Sequence, residues 1–300
     1  MAAEALQNSQ ESAKPGAVEA PRSGIVWLAS YPKSGNTWTR TFLHNLVHVT
    51  SGETQAQPIN ELNQFSMTSA AKFLFEEVLG FSPTEKHRDQ IAAARARAQQ
   101  HLADQVEGLI FVKTHQALAV DRGHPTINFS VTAGAIYIVR NPLDVAISYA
   151  HHLGRSIDRS INLINSNNAE TSVSDKQVYE LYGSWSQHVL SWTRKPHRAI
   201  YVMRYEDMLD EPQKAFGGLA RHLLFTPTDD QLADAIDRSS FERLREQEQQ
   251  EGFRERPERA ERFFREGRAG QWKDVLTPAQ IKRIVDAHGE QMQRFGYLPA

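Results

Sequence analysis

Four short stretches carry residues whose types and spacing suit chemistry on a phosphorylated compound. In "YPKSGNTW" (31–38), Lys33 precedes Gly35, and Ser34, Asn36 and Thr37 add hydroxyl and amide donors. The common nucleotide loop, G-x-x-x-x-G-K-[ST], instead opens on a glycine and places its lysine after the last one. An apolar run ends at Ala29, and a helix-like stretch opens near Thr37. That geometry turns the backbone N–H groups of 34–37 into one concavity at the positive end of a helix dipole. Pro32 stiffens the entry, and Gly35 lets an anion come close to the backbone.

In "VRNPLDVAISYAHH" (139–152), Arg140 stands at a strand tip and Ser148 two turns into the following helix, on nearly the same side. Asn141 caps that helix, Pro142 takes its first position and Asp144 its first turn. Mg²⁺-dependent nucleotide hydrolases place a metal-holding aspartate at the comparable strand end. A cation there favours direct neutralisation of a phosphate, with no metal implied. "FVKTHQAL" (111–118) presents Lys113 and His115 on one side of a strand end and Thr114 on the other, at the carboxyl edge where α/β sheets bind ligands. "FFREGRAGQWKD" (263–274) offers Arg265, the backbone of Gly267, and Trp272 to pack the segment down; alone it reads as a charged loop.

Elements able to position these groups are visible in the apolar pattern. Runs at Ile25–Ala29, Leu109–Val112, Ala135–Val139 and Ala199–Met203 are almost continuously apolar, as in parallel strands covered on both faces. Between them, Val178, Leu181, Tyr182, Trp185, Val189 and Trp192 repeat as one helical face, as do Phe216, Leu219, Ala220 and Leu223. Ser82-Pro83-Thr84-Glu85 carries a capping box from Ser82 to Glu85 ahead of a polar helix. The fold class expected is α/β: a central parallel β-sheet flanked by helices, in a single domain over 24–300. Residues 52–108 are expected to lie over one edge of the sheet, and 252–270 to form a long functional loop. Residues 1–23, rich in Ala, Glu, Gln, Ser and Pro, read as a disordered lead-in.

Composition narrows the function. The 300 residues are 40% hydrophobic and 23% charged, with net charge −2, which lacks the basic footprint of a nucleic-acid binder. There is no cysteine, so disulfides and thiolate chemistry are excluded. No apolar run reaches the ~18 residues of a membrane span, and the first residues lack a signal-peptide pattern, so a cytoplasmic protein is expected. "HNLVH" (44–48) has the spacing of H-E-x-x-H but lacks the glutamate and reads as a helix face.

All four stretches, in this order, resemble the cytosolic-type sulfotransferase family, which uses 3′-phosphoadenosine 5′-phosphosulfate (PAPS) as donor. "YPKSGNTW" resembles its 5′-phosphosulfate loop, "VRNPLDVAISY" its 3′-phosphate segment, "KTH" its catalytic-base strand and "FREGRAGQWK" its C-terminal motif. "MRYEDM" (203–208) and "SSFERL" (239–244) resemble its adenine-side segments, and the opening loop resembles bacterial members more than animal ones. The resemblance implies that Lys33 meets the bridging oxygen, and that Ser34, Gly35, Asn36 and Thr37 bind the 5′-phosphate. It further implies that Trp38 stacks on the adenine, with Tyr205, Ser239 and Phe241 beside it. Arg140, Ser148, Arg265 and Gly267 would hold the 3′-phosphate. His115 would be the general base, with Lys113 on the sulfuryl oxygens and Ser148 near the reacting centre.

The chain also departs from the family pattern. Asn36 replaces a threonine, and its amide is expected to donate in its place. Glu266 stands in the cofactor segment where a basic residue is usual, and Gln271 replaces an aspartate. "DVLTPAQIK" (274–282) keeps the threonine of the family's dimer motif but has Pro278 and Lys282 where valine and glutamate are expected, so that dimer is not assumed. The partner expected is a small-molecule hydroxyl acceptor: a phenol, a steroid-like or aliphatic alcohol, or a natural product. Residues 65–81 and 154–170 are expected to wall its pocket, with one of His151 and His152 facing it. A P-loop kinase or hydrolase and a non-catalytic nucleotide-binding module are the alternatives. The first is disfavoured by Arg140 and the absent glycine, the second by Lys113 and His115.

Overall fold

Every residue of the strand Gly24–Ser30 (β1) is buried because both of its faces meet a core. Ile25, Trp27 and Ala29 point into one apolar cluster, and Val26 and Leu28 into a second on the opposite face. This alternation is the two-residue period of a strand. The computed structural model describes residues 23–257 and 259–299, so all but the last residue of the lead-in expected for 1–23 lies outside the described residues.

β1 is the centre of a five-stranded sheet. With β2 (Ser66–Thr68), β3 (Leu109–Thr114), β4 (Thr132–Val139) and β5 (Ile200–Arg204), the order is β2-β3-β1-β4-β5, and every pairing is parallel. Ala29 pairs with Thr114 on one side and Tyr137 on the other, which brings the carboxyl ends of β1, β3 and β4 level. The four apolar runs are all strands of this sheet; the three-residue edge strand β2 is too short and too ordinary in sequence to announce itself.

Helices cover both faces. Helix α1 (Asn36–Thr50) packs Phe42, Leu43, Leu46 and Val47 into the second cluster, joined by Phe216, Leu219 and Ala220 of α2 (Pro212–His222). On the other face lie α3 (Pro142–Leu153), α4 (Trp185–Thr193) and α5 (Arg88–Asp104). Fully burying one such Leu, Ile or Phe side chain contributes ~1.5–3 kcal/mol, so each helix docks by its apolar stripe.

Two local expectations need correction. The helix expected from Val178 begins only at Trp185, because Ser184 accepts from the Gln187 N–H while the Gln187 side chain accepts from Ser184 N–H at 3.0 Å, a capping box that fixes the start. Residues before it run extended: Val178 N–H reaches Ala70 O at 2.9 Å, and Val178 and Tyr182 are buried without being helical. Similarly, the cap ahead of α5 is Thr84 paired with His87, not Ser82 with Glu85. The Glu85 carboxylate instead accepts from Arg88 Nε and Val173 N–H, each at 2.6 Å. Farther along, Thr277 and Pro278 simply start the last long helix, Pro278–Arg294.

Candidate active site

The carboxyl ends of β1, β3 and β4 open into one cavity of about 1220 Å³. Its floor is the turn between β1 and α1. Gly35 sits at φ +104°, where a Cβ would lie 2.7 Å from the Tyr205 ring. Lys33, also left-handed at φ +67°, turns its carbonyl to Arg140, whose Nη1 donates at 3.0 Å. Asn36 lines the cavity, but its side-chain N–H groups donate back to Leu28 O at 2.8 Å and Ser30 Oγ at 3.3 Å. It therefore holds the turn in shape, and its amide N–H groups are already engaged within the protein rather than free to donate to a ligand.

Buried polar atoms of the cavity wall have no partner, Trp38 Nε1 and Arg140 Nε among them. Buried polar groups are ordinarily paired, so a cluster of orphans around a turn rich in N–H groups is a cradle shaped for an anionic ligand. The residues present thus fit a phosphorylated nucleotide. Arg140 lies with its guanidinium 4.1 Å from the centre of the Tyr205 ring, and its Nη2 donates to Arg268 O at 3.3 Å.

The structure brings Lys33, Gly35, Asn36, Thr37, Trp38, Lys113 and His115 to the wall of this cavity. It does the same for Arg140, Ser148, Tyr205, Phe241, Arg265, Glu266 and Gly267. Two expected residues do not reach it. Ser34 is wholly buried and does not line the cavity. Ser239 is also wholly buried, its hydroxyl donating to Ala235 O at 2.9 Å and Ile236 O at 3.1 Å, so it closes its own helix rather than facing an adenine.

His115 is held from several directions. Its N–H donates to Glu180 Oε1 at 2.8 Å, and its carbonyl lies 3.0 Å from Nε2 of His188. The Tyr137 hydroxyl, 2.9 Å from Nδ1 of His188, fixes that second ring. Nδ1 of His115 lies 2.7 Å from Ser30 O, an acceptor only, so Nδ1 carries the proton and Nε2 keeps its lone pair. Burial, then the charge of Lys113, holds the imidazole well below its ordinary pKa, which leaves it neutral at pH 7.

Lys33 Nζ stands 3.4 Å from His152 Nδ1 and 4.3 Å from the centre of the Phe263 ring. Burial first, then Arg140 and Lys113, push its pKa down to about 7. The site therefore crowds cations at a cost that an incoming anion relieves.

The described residues of the segment 252–270 are irregular, as expected, and several of them line the cavity. Glu248 accepts from the N–H groups of Phe263 at 2.8 Å and Phe264 at 2.9 Å. Asp144, in the first turn of α3, accepts from Gly270 N–H at 2.7 Å and Trp272 N–H at 3.0 Å. Arg265 donates to Glu266 at 2.9 Å and to Gln271, so the acid standing in place of the usual basic residue engages the neighbouring arginine. Glu255 reaches Lys113 Nζ at 3.3 Å. Nothing in the residue pattern singles out Glu248 or Glu255, and Asp144 is visible there only as a first-turn acid.

Of the two segments expected to wall an acceptor pocket, one lines the cavity in part and the other does not. Met67, Ala71 and Phe73 line the cavity, whereas Leu74 and Phe75 belong to the core. Residues 154–170 do not line it: their helix Ile157–Asn165 turns Ile161 and Ile164 into the core. The wall comes instead from the next segment, with Thr171, Ser174, Gln177 and Tyr182. Of the two adjacent histidines, His152 faces in. Among the described residues, no three His, Asp or Glu side chains gather as a metal site requires, and no helix is long and apolar enough to cross a membrane.

Comparison with known proteins agrees with this geometry. The model of the sulfotransferase domain matches residues 24–296. Among curated relatives, sulfotransferase 1B1 of the dog, Canis lupus familiaris, is 26% identical over 285 residues, covering 90% of this chain and 84% of that one. Flavonol 3-sulfotransferase of Flaveria bidentis is 24% identical over 288 residues, covering 91% and 83%. Among solved structures, mouse sulfotransferase SULT7A1 complexed with PAP superposes with a TM-score of 0.58 at 21% identity, covering 91% of this chain and 86% of that one, a likeness of fold. The chain belongs to the sulfotransferase domain family.

Proposed function

We propose that this sulfotransferase moves a sulfuryl group from PAPS to a hydroxyl of a small molecule, with His115 as the general base. One observation carries the reading. A single cavity holds two anion cradles, Lys33 with the 34–37 turn and Arg140 with Arg265 and Gly267, together with a histidine whose Nε2 lone pair is free.

In the transfer, a bond forms between the acceptor oxygen and sulfur as the bond from sulfur to the bridging oxygen breaks. The hydroxyl proton passes to His115 Nε2, and the electron pair leaves on the bridging oxygen with 3′,5′-bisphosphoadenosine (PAP). Lys33 meets that developing charge, and Lys113 meets the sulfuryl oxygens. Preorganised donors at a developing charge are worth ~10²–10³ in rate, and a positioned base ~10²–10⁴. Ser148, Arg140, Arg265 and the Gly267 backbone take the 3′-phosphate, while Trp38, Tyr205 and Phe241 flank the base.

The cavity exceeds the ~300–1,000 Å³ of ordinary ligand pockets, which leaves room for a second molecule beside the nucleotide. Phe73, Tyr149, Tyr182 and Phe263 line it and favour an acceptor with a flat or aromatic body. The relative that is a flavonol 3-sulfotransferase supports a phenolic hydroxyl. A relative named a cytosolic sulfotransferase supports a cytoplasmic place of action.

The test is ligand-induced stabilisation followed by turnover. PAP is expected to raise the melting temperature without magnesium, since a ligand that binds only the native state stabilises it. Stabilisation by ATP alone, and only with magnesium, would overturn the reading in favour of a kinase. Labelled PAPS with a panel of phenols and alcohols then identifies the acceptor, and a chain that binds PAP but labels none of them is a binding module.

A further inference from the structure

Arg40, one turn into α1, is wholly buried. Its guanidinium is fixed on two sides by the β2 region: Nε donates to Ser66 Oγ at 2.7 Å, and Nη2 donates to Asn63 Oδ1 and Ser66 O, each at 3.2 Å. Nη1 meets both oxygens of Glu255, at 2.8 and 3.0 Å. The same carboxylate, through Oε2, accepts from Lys113 Nζ at 3.3 Å. Glu255 is thus a bridge between an immobile cation and a mobile one.

We propose that Glu255 is a positioning residue of the transfer reaction, setting through this ion pair where the Lys113 ammonium stands against the sulfuryl group. The inference rests on the reading in which Lys113 meets the sulfuryl oxygens. A lysine is a point charge on a flexible stem with several rotatable bonds, so unaided it samples many positions. A carboxylate anchored on Arg40 removes most of them before the ligand arrives, which is the meaning of preorganisation here. Burial alone would raise the Glu255 carboxyl, but Lys113 and Arg40 outweigh it and bring it to about 2, so the bridge is charged at any working pH. Because Glu255 belongs to the 252–270 segment, Lys113 is aligned only while that segment lies down on the cavity.

The sulfuryl group distinguishes PAPS from PAP, so the ratio of their affinities reads Lys113 alignment without any acceptor. Isothermal titration of both ligands is expected to show that Glu255→Gln cuts the preference for PAPS over PAP about tenfold. In a Lys113→Met background the same change is expected to have no further effect on the ratio. Glu255→Asp, which keeps the charge, loses less. An unchanged ratio in Glu255→Gln overturns the proposal, as does a further fall in the Lys113→Met background. A rise overturns it too, marking Glu255 as a competitor that draws Lys113 from the ligand. Should Glu255→Gln fail to fold with Arg40 left unpaired, Glu255→Asp decides, and an unchanged ratio there is fatal. If the unaltered chain binds neither nucleotide, the PAPS reading falls and takes this inference with it. If it binds both and only the ratio fails to move, the role of Glu255 falls alone.

Discussion

The 31–38 turn and the 252–270 segment face each other across one cavity and are held in opposite ways. The turn is secured by its neighbours: Asn36 bonds back to Leu28, the Gly35 carbonyl accepts from Thr39 N–H at 3.0 Å, and the strand and helix on either side are core elements. The 252–270 segment is secured by Arg40 and Asp144, far away in sequence, and by Glu248 of the helix before it, with Phe253, Phe263 and Phe264 packed into a small cluster beneath it. The turn is a rigid part of the sheet edge. The segment is a strap fastened by carboxylates, and such fastenings open at lower free energy than a core.

Several tests bear on that contrast, the largest expected effect first. His115→Ala, at the rigid edge, is expected to lower kcat by ~10²–10⁴ while PAP affinity measured by titration stays within about twofold. Near-full activity would remove His115 as the base. Gly35→Ala and Gly267→Ala then compare the two regions directly. In the turn, the new methyl enters at φ +104°, 2.7 Å from Tyr205. In the strap, it enters at φ +63°, 2.3 Å from Phe241. Thermal melts are expected to show a loss of about 2–4 kcal/mol for Gly35→Ala, from backbone strain and overpacking. Gly267→Ala is expected to melt nearly as the parent and to lose PAP affinity instead. Equal effects on melting would erase the distinction.

Asp144→Asn leaves the strap's far end held by a neutral acceptor. Limited proteolysis is expected to cut near 252–270 faster, with PAP affinity down roughly fivefold, since charge-assisted hydrogen bonds are about twice as strong as neutral ones. The smallest effect is one of pH. With its pKa brought down to about 7 in the free protein, Lys33 loses part of its protonation near neutrality. Anion binding favours the charged form, so PAP binding at pH 7–8 takes up a proton, and affinity falls as pH rises through that range. Calorimetry in buffers of different ionisation heat reads the uptake directly, and Lys33→Met abolishes it.

The same contrast explains what could be read from the residues alone. Runs such as Ile25–Ala29 and Ala135–Val139 stand out because both faces are buried, and Lys33, Arg140 and His115 stand out because each follows such a run. The anchors of the strap do not: Glu248 and Glu255 lie in a stretch crowded with glutamate and arginine, and the partners of Glu255 are distant in sequence. Arg40 interrupts an apolar helix face, and that irregularity was the one local sign of the bridge to Glu255. The false helix at 178–184 has a different origin. Tyr182 and Val178 keep apolar spacing because extended chain and helix bury them against the same core, and only the Ser184–Gln187 cap separates the two.

His115 leans on the last carbonyl of β1, the strand whose end also opens the phosphate turn. The proposed base and the proposed donor cradle are therefore built on one footing, while the cavity walls proposed to meet the acceptor include outlying chain at 67–73 and 171–182. Selection can rewrite those outer surfaces, and so exchange one alcohol for another, without touching the geometry of transfer. Descendants of such a chain would diverge in diet long before they diverge in chemistry.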